Sequence, residues 1–163
     1  SSDLIYYPLQ FYAAYFTVRG GAIDAVSAVQ GKAAVKKKMD EYNLKRKNNV
    51  EITAKEEATY VVNQIVIEML ARGFEFLPVD LYKSDWSVYQ IEDGKIRLPF
   101  SAIDGIGETA AQALAAAVKR NPGGFVASDD LANEPGVGKS VVDALRAAGA
   151  LGDLPETMQI SFF

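Results

Sequence analysis

Apolar residues between 54 and 71 fall at Ala58, Val61, Val62, Ile65, Val66, Met69 and Leu70, the spacing i, i+3, i+4, i+7, i+8, i+11, i+12 of one helical face. Thr53-Ala54-Lys55-Glu56 just ahead reads as a capping box: the Thr53 hydroxyl accepts the N–H of Glu56, and the Glu56 carboxylate accepts that of Thr53. Gly73 stands where a left-handed glycine closes a helix.

The pattern upstream predicts further helices. Phe11, Tyr12, Tyr15 and Phe16 recur at helical spacing behind Pro8, which suits a first turn because its missing N–H has no partner there anyway. So broad an aromatic face belongs in a core, or against chain upstream of Ser1. Gly20-Gly21 ends that helix and a short one over 23–29 follows. Residues 32–46 form another, with Val35, Met39 and Tyr42 as a thin apolar stripe, and Asn48-Asn49 breaks it. From Phe74 the period changes. Residues 76–81 read as extended, residues 86–91 alternate, and Asp93-Gly94 favours a type I′ turn into a return strand over 96–98.

Two glycine-flanked turns then each open a helix. Ile103-Asp104-Gly105-Ile106-Gly107-Glu108 leads into residues 108–120, with Ala111, Leu114, Ala115 and Val118 inward. Pro135-Gly136-Val137-Gly138 leads into residues 139–148, with Val141, Val142, Leu145 and Ala148 on one face. Between them Ser128 is placed to cap a short helix over 129–132. The expected fold is mainly α with a small β-hairpin, an α+β chain. Gly105 and Gly107 can adopt left-handed angles without a Cβ penalty, and the N–H groups of a helix start suit a phosphate. A turn of this form also caps a helix and binds nothing, so both readings stand at the level of the motif.

Composition narrows the chemistry. The 163 residues include no cysteine and no histidine, which excludes disulfides, thiolate or imidazole metal sites and a histidine-dependent triad. No run of apolar residues is long enough to span a membrane, and the N-terminus lacks the basic and apolar regions of a signal peptide, so a soluble, cytoplasmic chain is expected. Its abrupt apolar start reads as an excised piece. The net charge is −4, yet residues 32–47 hold seven basic against two acidic side chains, a local +5 that leaves −9 elsewhere. Lys36, Lys37 and Lys38 are candidates for phosphate contact, or simply a solvated helix face. Gly138-Lys139-Ser140 is not a nucleotide-binding loop, because Asn133 stands where that motif needs glycine. The acidic pairs Asp40-Glu41, Glu56-Glu57 and Asp129-Asp130 sit on polar helix faces or first turns and mark no catalytic centre. Leu154-Pro155-Glu156-Thr157 reads as a linker to Gln159-Ile160-Ser161-Phe162-Phe163, whose closing aromatics suit a docking peptide.

Taken together, residues 6–19, 72–85, 98–107 and 159–163 resemble the C-terminal part of the Gram-positive PolC-type DNA polymerase III α subunits. The resemblance implies that residues 1–98 end the fingers region, that 99–154 form a tandem helix-hairpin-helix domain on duplex DNA, and that 155–163 form a tail for the β sliding clamp. On matching positions, Gly105, Ile106, Gly107, Glu108 and Thr109 would meet the DNA backbone, with Gly136, Val137, Gly138 and Lys139 as a weaker partner turn. Gln159, Ser161 and Phe163 match the family's clamp peptide, while Ile160 and Phe162 replace leucines. Partners implied are primer-template duplex DNA, the sliding clamp, and the polymerase's own palm and fingers. The magnesium-binding aspartates of the palm are not in this sequence, so no cofactor is expected in the segment and no catalysis from it alone. The rival reading is a helical protein-interaction module whose glycine turns are structural only.

Overall fold

Helix α5 (Ala54–Ala71) carries both of its expected signals. In the computed structural model, which describes residues 2–158, Thr53 Oγ1 accepts from the Glu56 N–H at 3.1 Å and Glu56 Oε1 accepts from the Thr53 N–H at 3.4 Å. At the other end Gly73 turns to φ +90°. The N–H groups of Gly73 and Phe74 then reach back to the carbonyls of Leu70 and Met69, which satisfies the last turn. Val62, Val66 and Met69 are fully buried, whereas Ala58 and Val61 face solvent. The buried stripe is therefore narrower than the seven-position pattern, because no element covers that flank.

Five further helices precede or follow it at the expected places: α2 (Pro8–Arg19), α3 (Ala25–Gln30), α4 (Lys32–Lys47), α6 (Glu108–Arg120) and α8 (Gly138–Ala147). Two short ones complete the set, α1 (Ser2–Tyr6), which the pattern did not suggest, and α7 (Ser128–Ala132). Helices α4 and α5 run antiparallel. Tyr42 and Tyr60 stack across them at 4.2 Å and 14°, and Lys45 Nζ donates to Glu56 Oε2 at 2.6 Å. The aromatic face of α2 finds its partners inside this chain. Phe16 packs on Phe76 at 5.2 Å and on Tyr89 at 5.7 Å, while the Tyr12 hydroxyl donates to Glu68 at 2.7 Å and accepts from Arg72 at 3.0 Å. Burial pushes the Tyr89 phenol well above its usual range.

The expected hairpin is present as β2 (Gln90–Glu92) and β3 (Lys95–Arg97), with Gln90 opposite Arg97 and Glu92 opposite Lys95. Asp93 and Gly94 take φ +51° and +75°, the two positive angles of a type I′ turn. Residues 86–89 are not strand. A third strand, β1 (Phe76–Leu77), adds to β3 in parallel, giving the order β1-β3-β2. Arg97, nearly buried, fastens this sheet. Its Nε and Nη2 each donate to the Glu92 carboxylate at 2.8 Å and its Nη1 to the Pro78 carbonyl at 2.9 Å. The architecture is mainly helical with this small sheet, and one buried cluster runs from Tyr12 through Leu98 and Leu114 to Leu151.

Two expectations about the last third change. Ser128 does not cap α7; it is the helix's first residue, and its Oγ accepts from Arg146 at 2.5 Å. The N–H groups of Ser128 and Asp129 donate instead to the carbonyls of Pro155 and Glu156, at 2.8 and 3.1 Å. Residues 155–156 are thus tied to α7 rather than acting as a free linker.

Candidate nucleic-acid interface

The first glycine turn is built by the chain leaving β3. Residues Phe100–Ala102 make one tight helical turn, Ile103 and Ile106 are buried, and the Ile106 N–H closes a turn onto the Ile103 carbonyl at 3.1 Å. Burying those two isoleucines forces the residues between them outward, so Asp104 and Gly105 are exposed. Gly105 sits at φ +89°, where any side chain would be strained. Gly107 does not share that conformation. Its φ of −77° and ψ of 178° are extended and open to any residue, and a Cβ built there would meet no atom within 4 Å. Its glycine is thus not required by backbone strain; what it provides is open space in front of a helix start.

Helix α6 begins directly behind it with no side-chain cap. The peptide N–H groups of Gly107, Glu108, Thr109 and Ala110 have no acceptor among the described residues; the first to be satisfied is Ala111, which donates to the Gly107 carbonyl at 2.9 Å. Val137 occupies the matching position ahead of α8, again with no side-chain cap. In that second turn both glycines are left-handed, Gly136 at φ +76° and Gly138 at φ +72°. The two turns therefore share a pattern and not a conformation.

Packing brings them together. A Cβ on Gly136 would lie 3.0 Å from the Ala113 Cβ, so the second turn rests directly on α6, about 7.5 Å along the axis from Glu108 at roughly 1.5 Å per residue. Glu134, just before that turn, is held by Asn121 and by Arg120 at 3.1 Å, and these donors keep its carboxyl below the usual range. Both helix starts are thus fixed to one body through α6.

The charges around the two turns differ. Lys55 of α5 pairs with Asp104 and holds its carboxyl below the usual range, with help from the Gly105 N–H. Glu108 is exposed beside the same turn. At the second turn Glu134 is tied to Arg120, while Lys139 is exposed and in no ion pair among the described residues. On α4, Lys36 pairs with Asp40 at 3.5 Å, Lys37 is exposed, and Lys38 lines a cavity that Asp104 also lines, which brings it toward the first turn. Lys55 and Asp104 did not stand out in the sequence, since nothing local links residues 49 positions apart. Gln159, Ile160, Ser161, Phe162 and Phe163 lie outside the described residues.

A sequence model of the helix-hairpin-helix motif matches residues 73–159, more than half of the chain. The chain belongs to the helix-hairpin-helix family. Over 159 residues, 98% of its length, it is also 39% identical to the PolC-type DNA polymerase III of Thermotoga petrophila, 39% to that of Streptococcus suis and 41% to that of Listeria monocytogenes. It spans 11% of the length of each of these relatives.

Among the described residues no group of three or more Asp or Glu side chains is placed to hold a metal ion. No described helix is long and apolar enough to cross a membrane.

Proposed function

We propose that this chain is the duplex-holding, clamp-tethered part of a PolC-type replicative DNA polymerase working in the bacterial cytoplasm. The observation that carries the reading is the uncapped start of α6, where the N–H groups of Gly107 to Ala110 lack acceptors and the space at Gly107 is empty. Peptide N–H groups at a helix start bind phosphate oxygens irrespective of base. Gly105 and Ile106 shape the first turn, and Glu108 and Thr109 contribute backbone rather than side chain. The second helix start adds Gly136, Val137, Gly138 and Lys139, with Lys139 supplying a cation that, unlike Lys55 at the first turn, is in no ion pair among the described residues. Lys36, Lys37 and Lys38 supply longer-range attraction.

A chain of net charge −4 that relies on neutral N–H groups neutralises few phosphates. Its affinity for duplex falls only gently with salt, with a logarithmic slope of roughly −1 to −3 for one to three lysine contacts. Tethering to a sliding clamp through Gln159, Ile160, Ser161, Phe162 and Phe163 raises the local DNA concentration and offsets that weakness. Polymerisation itself belongs to the palm that the resemblance implies; in this reading residues 1–98 join that catalytic part and 99–154 hold its product.

Titration of the chain with labelled primer-template duplex at several salt concentrations tests the grip, and binding with the shallow slope above is expected. No binding at low salt would return the turns to helix capping in a protein-interaction module, a reading that the carboxylates of Asp104 and Glu108 beside the first turn favour. Truncating Gln159–Phe163 is expected to abolish capture by purified clamp. Retained capture would remove the tether from the proposal.

A further inference from the structure

Lys55 stands where a helix gains nothing from a cation. It is the second residue of α5, between Thr53 and Glu56, whose reciprocal hydrogen bonds fix that first turn, and a positive charge at a helix start works against the helix dipole. The adjacent carboxylate of Glu56 is taken by Lys45 at 2.6 Å. What Lys55 meets is Asp104, 49 positions on, in the first glycine turn. That turn keeps its shape without the pair: Ile103 and Ile106 are buried, and the Ile106 N–H closes onto the Ile103 carbonyl at 3.1 Å. The side chains of Lys55 and Asp104 are 58% and 88% exposed, and an ion pair so open to water adds little stability and exchanges readily. Fold stability therefore accounts for little of either charge.

Both charges make sense against a phosphate. Asp104 and Glu108 put two exposed carboxylates beside the free N–H groups of Gly107 to Ala110, and by themselves they would repel the anion those groups suit. Lys55 is the cation that the packing of α5 brings to the same turn. Its backbone is fixed by the capping box, while its four-carbon stem lets the ammonium swing. A phosphate at the start of α6 offers that ammonium a competing anion only three residues along the chain from Asp104.

We propose that Lys55 is a further phosphate-contacting residue, held on Asp104 in the free chain and transferred to the DNA backbone when duplex binds, so that Asp104 moderates the grip. This rests on the reading of the α6 start as a phosphate site.

The test titrates labelled primer-template duplex into the full chain at several salt concentrations, with Lys55→Met and Asp104→Asn beside the parent. Both side chains are exposed and Asp104 takes no positive φ, so both variants are expected to fold, as a thermal melt checks. Lys55→Met is expected to weaken duplex binding and to lower the logarithmic salt slope by about one unit. Asp104→Asn is expected to tighten it by roughly twofold to fivefold, the worth of an exposed ion pair. The transfer itself is read from the Asp104 carboxyl by NMR. In the free chain Lys55, and then the Gly105 N–H, hold that carboxyl below its usual range. With saturating duplex the cation is gone and a phosphate is near, both of which favour the neutral form, so the carboxyl is expected to titrate at higher pH than in the free chain. Glu108 beside the turn and Lys38 on the cavity that Asp104 lines are present in both states and do not produce the change. An unchanged salt slope in Lys55→Met, with the parent binding duplex, overturns the transfer and leaves the grip of the turns standing. An Asp104 carboxyl unmoved by duplex does the same, and decides alone should Lys55→Met fail to fold. Absence of duplex binding by the parent in the same titration removes the grip, and this inference with it.

Discussion

Replacing Gly107 by aspartate sets the stability of the fold against its grip on DNA. The backbone there, φ −77° and ψ 178°, accepts any residue, and the new Cβ meets nothing within 4 Å, so the substitution introduces no strain. Aspartate is among the best N-cap residues, a few tenths of a kcal/mol better than glycine, and its charge adds roughly 0.3–1 kcal/mol against the helix dipole. The carboxylates of Glu108 and Asp104 nearby oppose part of that gain. A net stabilisation of about 0.5 kcal/mol raises the melting temperature by roughly 1–2 °C in a chain of this size. For a phosphate the same change is doubly unfavourable, because the carboxylate occupies the free N–H groups and places like charge against the ligand. Two unit charges about 4 Å apart repel by roughly 4 kcal/mol near a protein surface, before salt screening. Half of that remaining is a loss of roughly 30-fold in duplex affinity, read by fluorescence anisotropy beside a thermal melt. Gly107→Asn caps without charge and separates blocking from repulsion. A higher melting temperature with unchanged duplex affinity would refute the phosphate reading and leave the turn as a helix cap; a lower melting temperature would show that the helix start is not as described.

Gly136→Ala combines a left-handed φ with a 3.0 Å approach to the Ala113 Cβ, and is expected to cost roughly 1–2 kcal/mol in chemical denaturation. Measured against Ala113→Gly alone, which carries its own cost of roughly 0.5–1 kcal/mol as a glycine inside α6, Gly136→Ala is expected to lose the steric share and keep the backbone share; no remaining cost would mean that the φ carries no penalty. The Glu92 carboxyl lies below its usual range because Arg97 and then Lys83 hold its charged form. Its contribution to stability is therefore full above the ordinary carboxylate range and is lost as pH falls through that range toward the lower folded value. Glu92→Gln should destabilise the chain at neutral pH and flatten the acid limb of the stability curve, and an unchanged acid limb would place the acid sensitivity elsewhere. Lys139→Glu should weaken duplex binding and reduce the salt slope by about one unit. Equal slopes in parent and variant would remove Lys139 from the interface.

Features carried by the sequence alone are those whose partners lie within one turn of chain. The box at Thr53 and Glu56 spans three residues, the Asp93-Gly94 turn needs only its own two positive φ angles, and the apolar faces of α6 and α8 repeat every three or four positions. Such devices act before the chain has any tertiary neighbours, so composition and period are enough to read them. The two glycine-flanked turns belong to this group as motifs. Which of their glycines are left-handed does not: Gly107 is extended between the buried Ile106 and α6, whereas Gly136, packed on Ala113, and Gly138 are both left-handed.

Long-range pairings were decided only by the tertiary structure. Phe76 pairs with Ile96 in parallel, Tyr89 donates to Thr17 across 72 positions at 3.0 Å, Lys55 meets Asp104, and Pro155 and Glu156 satisfy the start of α7. Each of these contacts depends on loop closure and on packing of other elements, and neither leaves a mark in the local pattern. Asn63 is the clearest case: it interrupts an apolar helix face with no local reason, and only the packed structure shows it buried, with its Oδ1 in no hydrogen bond.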